Sequence, residues 1–538
     1  MSKIILTTVS AIALATASSA LAGSSSYLSQ IGSNNQLTVD QTASLSDSQI
    51  GTDPTTTPPG LPFEQRGTGN IITIIQGGIG NNWFGVGATV VSPMTAPYTS
   101  TFQSMQSFQH GTGNQANVQQ YGFSDFAVLQ QTGSTQIGSI LQDVNTDTSS
   151  VMLRQNGNNN TFQIYQGFDA VAGGSSNVFS ATQTGNSNAV TSIQTGSSNV
   201  FGSTTTGNQN VIISIQTGDS QSAWLTQTGN VNTFSNSQSG GLNYINAQQT
   251  RIGGFNQITS VQSGNAAFGT IVNNSVIANQ TSTGGVNQIT STQSNTGNAL
   301  DVSQNGSNLT ITNYQSGSLT PQPGQLGTGN NSASITSQTG HRNQITTSQP
   351  GDFNTVIAAQ DGTGLTITNT QAGAWGFASF VQSGIQNTAT VIQTGLGSGL
   401  FASDSNNAGI TQGGSLNIAL VQQGALGNTA NVTQSGNNST VTVLQPGSYN
   451  TGTITQNIGS TLNTVLLLQS GNNNTSTVTQ TGTLSQAYLL QISDNNILTL
   501  TQNGTGPVAN QAFVTQAIGG STLNLAQSGS GNIAHVNQ

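Results

Sequence analysis

The feature that most constrains this chain is an eleven-residue repeat that holds its phase over long stretches. From Gln183, steps of eleven lead to Gln194, Thr205, Gln216, Gln227, Gln238 and Gln249. Two residues after each of the first six comes a glycine: Gly185, Gly196, Gly207, Gly218, Gly229 and Gly240. Three residues further stand Asn188, Asn199, Asn210, Gln221, Asn232 and Asn243. The unit reads Q-x-G-x-x-N-x-φ-x-φ-x, with φ apolar or small. It returns in phase at Gln109–Gln142, Gln338–Gln393, Gln412–Gln456 and Gln469–Gln502, and again at Gln516, Gln527 and Gln538. A period of this length points to a repeat architecture before any other reading.

An eleven-residue period could also mark a right-handed helical supercoil. Helices do not tolerate a glycine in every unit beside so much Asn, Thr, Ser and Val. Inside each unit the pattern is period two instead. In QRGTGNIITIIQ, Asn70, Ile72, Ile74 and Gln76 alternate with Ile71, Thr73 and Ile75, so one face of a short strand carries Asn, two apolar residues and Gln. The remaining x-G-x-x is a tight corner whose glycine supplies positive φ. The expected fold is therefore all-β, a β-solenoid of 11-residue half-rungs with 22 residues per rung and about 20 rungs in all.

Proline and charge follow the same frame. Proline cannot donate to a strand ladder. Pro350 and Pro446 sit in the corner directly after Gln, and the other nine prolines fall in breaks between units. Arg66, Arg342, Asp219, Asp352, Asp361 and Asp494 occupy corners; Asp125 in an Asn slot and Arg251 in a Gln slot depart from this. Buried Gln and Asn would cost on the order of 1–3 kcal/mol each if unpaired. Stacking removes that cost, because an amide in the same slot of every rung donates one way and accepts from the other, as in cross-β amide ladders. The expected ladder residues are Gln183, Gly185, Asn188, Gln194, Gly196, Asn199, Gln216, Gln227 and Gln238, with Gln194, Gln216 and Gln238 in one column and Gln183 and Gln227 in another.

Composition argues against several function classes. Only 4% of the 538 residues are charged and there is no cysteine. A chain this poor in bases lacks the patches that neutralise phosphates, so no nucleic-acid partner is expected. No cofactor or metal site is expected either. His110, His341 and His535 stand apart from one another and read as surface imidazoles. Asp143 and Asp147 are the closest acid pair and read as solvated loop charges rather than as a catalytic pair, so the chain is not expected to be an enzyme. Trp83, Trp224 and Trp375 are expected to pack in the core, the alternative being that they cover carbohydrate-binding faces.

The organisation expected along the chain has three parts. Lys3, the apolar run Ile4 to Leu14 and Ala20-Leu21-Ala22 before Gly23 read as a secretory signal peptide over residues 1–22. Residues 23–64 hold one repeat unit and a Pro-rich break; residues 65–538 hold the repeat array, with irregular insertions near 85–102 and 318–324.

At this level of detail the chain resembles the curlin repeat of curli subunits, written S-x5-Q-x-G-x-x-N-x-A-x3-Q. SSSYLSQIGSNNQLTVDQ from Ser24 to Gln41 fits it with Leu37 in the Ala slot, and QHGTGNQANVQQ from Gln109 to Gln120 fits it with Ala116 there. The likeness runs over most of residues 24–538; the chain departs from it in carrying many more units and in its irregular segments. The resemblance implies a secreted, cell-surface functional amyloid: fibres formed with copies of itself, with a curli-type nucleator and an outer-membrane secretion channel as partners, and a role in biofilm matrix and adhesion, including contact with matrix glycans. The alternative is a monomeric solenoid adhesin, or a surface protein that binds ice or glycans through outward threonines; no sustained T-x-T column is evident from block to block. An open solenoid edge recruits strands. The unit QSGSGNIAHVNQ, with Gln527, Asn532, Ala534, Val536 and Gln538 in phase, is the expected assembly edge.

Overall fold

The computed structural model describes residues 4–9, 25–41, 49–50, 63–77, 83–84, 90–91, 101–102, 107–122, 125–143, 149–167, 176–264, 274–295, 297–316, 332–395 and 405–538. Among them there is no helix. The chain is an all-β parallel solenoid of about 17 turns, with roughly 24 residues per turn. It divides into two compact units: Met1–Arg251 with Ile258–Ile271, and Ile252–Gln257 with Val272–Gln538.

Within each unit, the strands of the repeat pair in parallel with the strand one rung on, so two faces form and successive repeat strands alternate between them. In the first unit Val178–Thr184, Val200–Thr206 and Ser222–Thr228 stack in one sheet. Ala189–Thr195, Val211–Asp219 and Thr233–Gly241 stack in the other. In the second unit Thr429–Gln434, Thr451–Gln456 and Thr475–Gly482 make one sheet, and Thr440–Gln445, Thr464–Gln469 and Gln486–Gln491 the other. Alternate residues along each strand are buried, which places Val190, Phe201, Ile212, Val443 and Leu467 in the core. Parallel strands covered on only one face need that alternation, and the repeat supplies it.

The turn count departs from the expected 20 rungs of 22 residues because the corners accept extra residues. Stacked glutamines are 22 residues apart at Gln194–Gln216 but 24 at Gln445–Gln469, 28 at Gln155–Gln183 and 34 at Gln304–Gln338. The extensions are tolerated because a loop lengthened at a corner adds little closure entropy; the first two leave the strand register intact, whereas the longest is accompanied by a register shift between Val302 and Gln304. Of the insertion near 85–102, the described residues Val90–Val91 and Thr101–Phe102 pair antiparallel; residues 318–324 and the Pro-rich stretch lie outside the described residues. Of the segment read as a signal peptide, Ile4–Val9 is a strand in parallel register with Ser26–Ile31, and the remainder lies outside the described residues.

Many corners turn on two positions. Gly185 has φ 111°, and a Cβ placed there would lie 2.0 Å from the Gly207 carbonyl oxygen of the next rung. At many corners the residue just before the Asn is left-handed as well: Ser187, Ser198 and Gln209 have φ 57–58°. Val231, Leu242 and Trp375 adopt the same conformation, which is costly for bulky side chains.

Candidate functional site

The side chains that recur in register are amides. Gln194 Nε2 donates to Gln216 Oε1, and Gln216 Nε2 to Gln238 Oε1, both at 2.9 Å. Each Nε2 also donates to a backbone carbonyl of the facing strand, Val178 for Gln194 and Val200 for Gln216, at 3.1 Å. The polarity is uniform along the column, every donor pointing to the next rung. The same holds at the first rung, where Gln30 Nε2 donates to Gln65 Oε1 at 2.6 Å, and late in the array, where Gln502 Nε2 donates to Gln527 Oε1 at 2.7 Å.

The companion column is interrupted. Gln155 Nε2 donates to Gln183 Oε1 and Gln227 Nε2 to Gln249 Oε1. Between them stands Thr205, in register with both Gln183 and Gln227. Its hydroxyl is too short to bridge the rungs. Thr205 Oγ1 and Gln227 Oε1 are both buried without a hydrogen-bond partner, and Gln183 Nε2 keeps only the Thr161 carbonyl, at 3.2 Å.

The asparagines bond chiefly to the backbone, and the expected amide-to-amide ladder is present at some rungs, where Asn210 Nδ2 donates to Asn188 Oδ1 and Asn232 Nδ2 to Asn210 Oδ1, both at 3.1 Å. Asn188 Oδ1 accepts the backbone N–H of Asn210 at 3.0 Å, and Asn188 Nδ2 donates to the Gly207 carbonyl at 2.8 Å. Asn199 repeats this with the Gln221 N–H and the Gly218 carbonyl. The shorter side chain sits where the corner leaves one backbone donor and one backbone acceptor exposed to the core, and it satisfies both. Gly185 and Gly196 provide the close approach of successive corners that brings those groups within reach. Asp125, in an Asn slot and fully buried, accepts the backbone N–H groups of Gly122 and Ser149 instead.

At the far end of the second unit, Thr522–Gly529 and Ile533–Asn537 each pair with the strand one rung earlier. Among the described residues no strand lies on their other side. Ala512 and Val514 are buried, whereas Ala534, Val536, Asn532 and Gln538, one rung on, are half-exposed. Gln527 Nε2 donates to the carbonyls of Gln511 and Asn532.

Titratable groups are scattered. Among the described residues no three His, Cys, Asp or Glu stand together. Glu64 pairs with Arg66 at 2.9 Å, and His110 Nε2 lies 3.7 Å from the other Glu64 oxygen. His341 contacts Ser307 at 2.6 Å, and His535 stacks on Phe513. Asp143 accepts the Tyr165 hydroxyl at 2.8 Å, while Asp147 lies outside the described residues. Burial first, then the hydrogen bond and charge of Asp143, raise the Tyr165 pKa above its ordinary 10.0. The tryptophans correct an expectation. Trp224 has outward parity and covers Gly202, and Trp375 sits at a corner stacked on Phe353 with ring centroids 4.4 Å apart. Both are half-buried because the inner slots admit only the alternate residues; the side chain of Trp83 lies outside the described residues.

The chain matches no protein-family model and no curated protein.

Proposed function

We propose that this chain is a secreted, curli-like structural protein that stacks head to tail with copies of itself into amyloid fibres of a biofilm matrix, and that it has no catalytic role. The observation that carries the reading is the directional glutamine ladder running to a rung whose outer edge is uncovered among the described residues. Edges of this kind pair with further strands, and a contact between unlike ends does not close, so it yields filaments. Continuation in the same phase would set Ala534, Val536 and Gln538 of one copy against Leu37, Val39 and Gln41 of the next, apolar on apolar and amide on amide. The strand Ile4–Val9 lies along Ser26–Ile31. It falls within the segment read as a leader, so cleavage before Gly23 would free that edge after export.

The test is the double variant Ala534→Lys with Val536→Lys in the mature protein. Fibre formation, followed with an amyloid dye and by electron microscopy, is expected to slow at least tenfold while circular dichroism stays β-rich. Unchanged assembly kinetics would refute growth through this edge.

One observation favours a second reading. Thr411, Thr433, Thr455, Thr479 and Thr501 stand in register on five successive rungs, so an outward threonine column that is scattered in the sequence is continuous in this block. A monomeric solenoid using that face on ice or glycans would stay monomeric at high concentration in the same dye assay.

A further inference from the structure

The two outer faces of the second unit differ in chemistry. One face is the threonine side just described. On the other, Ile418–Gln423, Thr440–Gln445, Thr464–Gln469, Gln486–Gln491 and Gln511–Gln516 stack in order. They turn outward Leu420, Leu444, Leu466, Leu468, Tyr488 and Leu490. Register places Leu468 between Leu444 and Leu490, and Tyr488 between Leu466 and Phe513. The Tyr488 and Phe513 rings stack at 5.2 Å. Leu466 is 36% and Tyr488 38% exposed, a large apolar commitment for positions facing away from the core. These five strands contain no charged residue. Where the Pro446 corner meets Leu444 and Leu468, a cavity of about 170 Å³ opens, floored by Gly424. A volume of roughly 150 Å³ is enough to admit a benzene ring.

We propose that this leucine face pairs with the leucine face of a second copy, joining two filaments side by side through a dry, interdigitated interface. The proposal rests on the self-assembly reading and adds a second, lateral contact to it. Chemistry and period both select the occupant. The face has no charge to complement, so its partner is uncharged and apolar. An outward leucine or aromatic ring stands on every rung, at ~4.8 Å, and only a surface with the same period keeps each one opposite a groove for five rungs; sheets mated this way pack ~10 Å apart. A second copy of this chain carries that period, and the cavity at Pro446 receives an aromatic ring such as its Tyr488. Five strands at ~4.8 Å by a six-residue strand of ~17 Å give a face of ~400 Å². Stable pairs bury about 800 Å² per partner. Two isolated copies are therefore held too weakly, and lateral pairing follows stacking, because each added copy in a filament contributes another such face.

The experiment uses mature protein carrying Leu444→Thr, Leu466→Thr, Leu468→Thr and Leu490→Thr, which gives this face the residue the opposite face already tolerates. Dye-positive, sedimentable fibres are expected from both proteins. Electron microscopy is expected to show paired filaments for the unaltered protein and single filaments of about half the width for the variant. Paired filaments in the variant, or single ones in the unaltered protein, would overturn the lateral contact while leaving head-to-tail growth standing. Absence of fibres from the unaltered protein would overturn both. If the fourfold variant loses its β-type circular dichroism, Leu466→Lys alone is scored by the same widths. Capture of the monomer on phosphatidylcholine vesicles, lost in the variant without any change in fibre width, would assign the face to lipid and overturn the proposal.

Discussion

Replacing Thr205 with Gln should repair the one broken rung in the Gln155–Gln249 column. The slot is fully buried and in register with glutamines on both sides, so the longer side chain enters a position whose neighbours already accept it. Its Oε1 would take the Gln183 donor and its Nε2 would meet Gln227 Oε1, now without a partner. Two amide hydrogen bonds are worth ~1–3 kcal/mol together when one of them rescues a buried orphan. Removing the buried, unpartnered Thr205 hydroxyl contributes ~1 kcal/mol more. Ordering a glutamine side chain opposes these by ~1.5 kcal/mol. The net is a gain of ~1.5 kcal/mol, close to a tenfold shift in a local equilibrium. Unfolding of a repeat array is not a single two-state event, so the measurement is amide hydrogen exchange on dilute, unassembled protein. Exchange through local opening should slow about tenfold for Val200–Thr206 and Ser222–Thr228, and little for strands several rungs away. Unchanged or faster exchange in those strands would refute the idea that ladder continuity, and not merely backbone pairing, holds the rungs together.

Gly185→Ala should be far costlier than Gly69→Ala. The first puts a Cβ 2.0 Å from a backbone oxygen at φ 111°, whereas the second has φ 68° and nothing within 4 Å. We expect a loss of ~2–4 kcal/mol against ~1 kcal/mol, read as local exchange protection or as the urea midpoint. Tyr165 provides a pH test. Its folded pKa is raised above 10.0 by burial and by Asp143. The stabilisation is therefore complete below the unfolded value near 10 and is lost as pH rises through the folded value. Tyr165→Phe should flatten that alkaline decline, and Asp143→Asn should move the ultraviolet titration of the tyrosine downward.

The core was legible in the sequence because it is written at the same period as the backbone repeat. Gln183, Gly185 and Asn188 each recur where the chain returns to an equivalent place, so phase alone assigns Gln194 and Gln216 to one column. The bonding of the asparagines was not legible, since it depends on which backbone groups the corner leaves open. That in turn depends on the left-handed residue before the Asn, a position where Ser187, Val231 and Leu242 share a conformation but no side-chain chemistry. The turn count was overestimated for a related reason. Corner extensions such as the one between Gln155 and Gln183 lengthen the path without disturbing the register of the strands on either side.

The outer faces were hidden by interleaving. Consecutive strands belong to opposite sheets, so TANVTQ, TVTVLQ, TGTITQ, TVLLLQ and TSTVTQ read as one loosely polar series until every second strand is taken together. Sorted at twenty-two or twenty-four residues, the spacing of stacked glutamines there, the first, third and fifth form a threonine wall and the second and fourth a leucine wall. Inward residues obey the shorter period because both sheets border one core, and a glutamine or valine serves equally from either side. Outward residues have no such shared neighbour, so each sheet is free to evolve its own surface. A search at eleven residues therefore finds the scaffold and averages away the two surfaces through which a solenoid meets anything else.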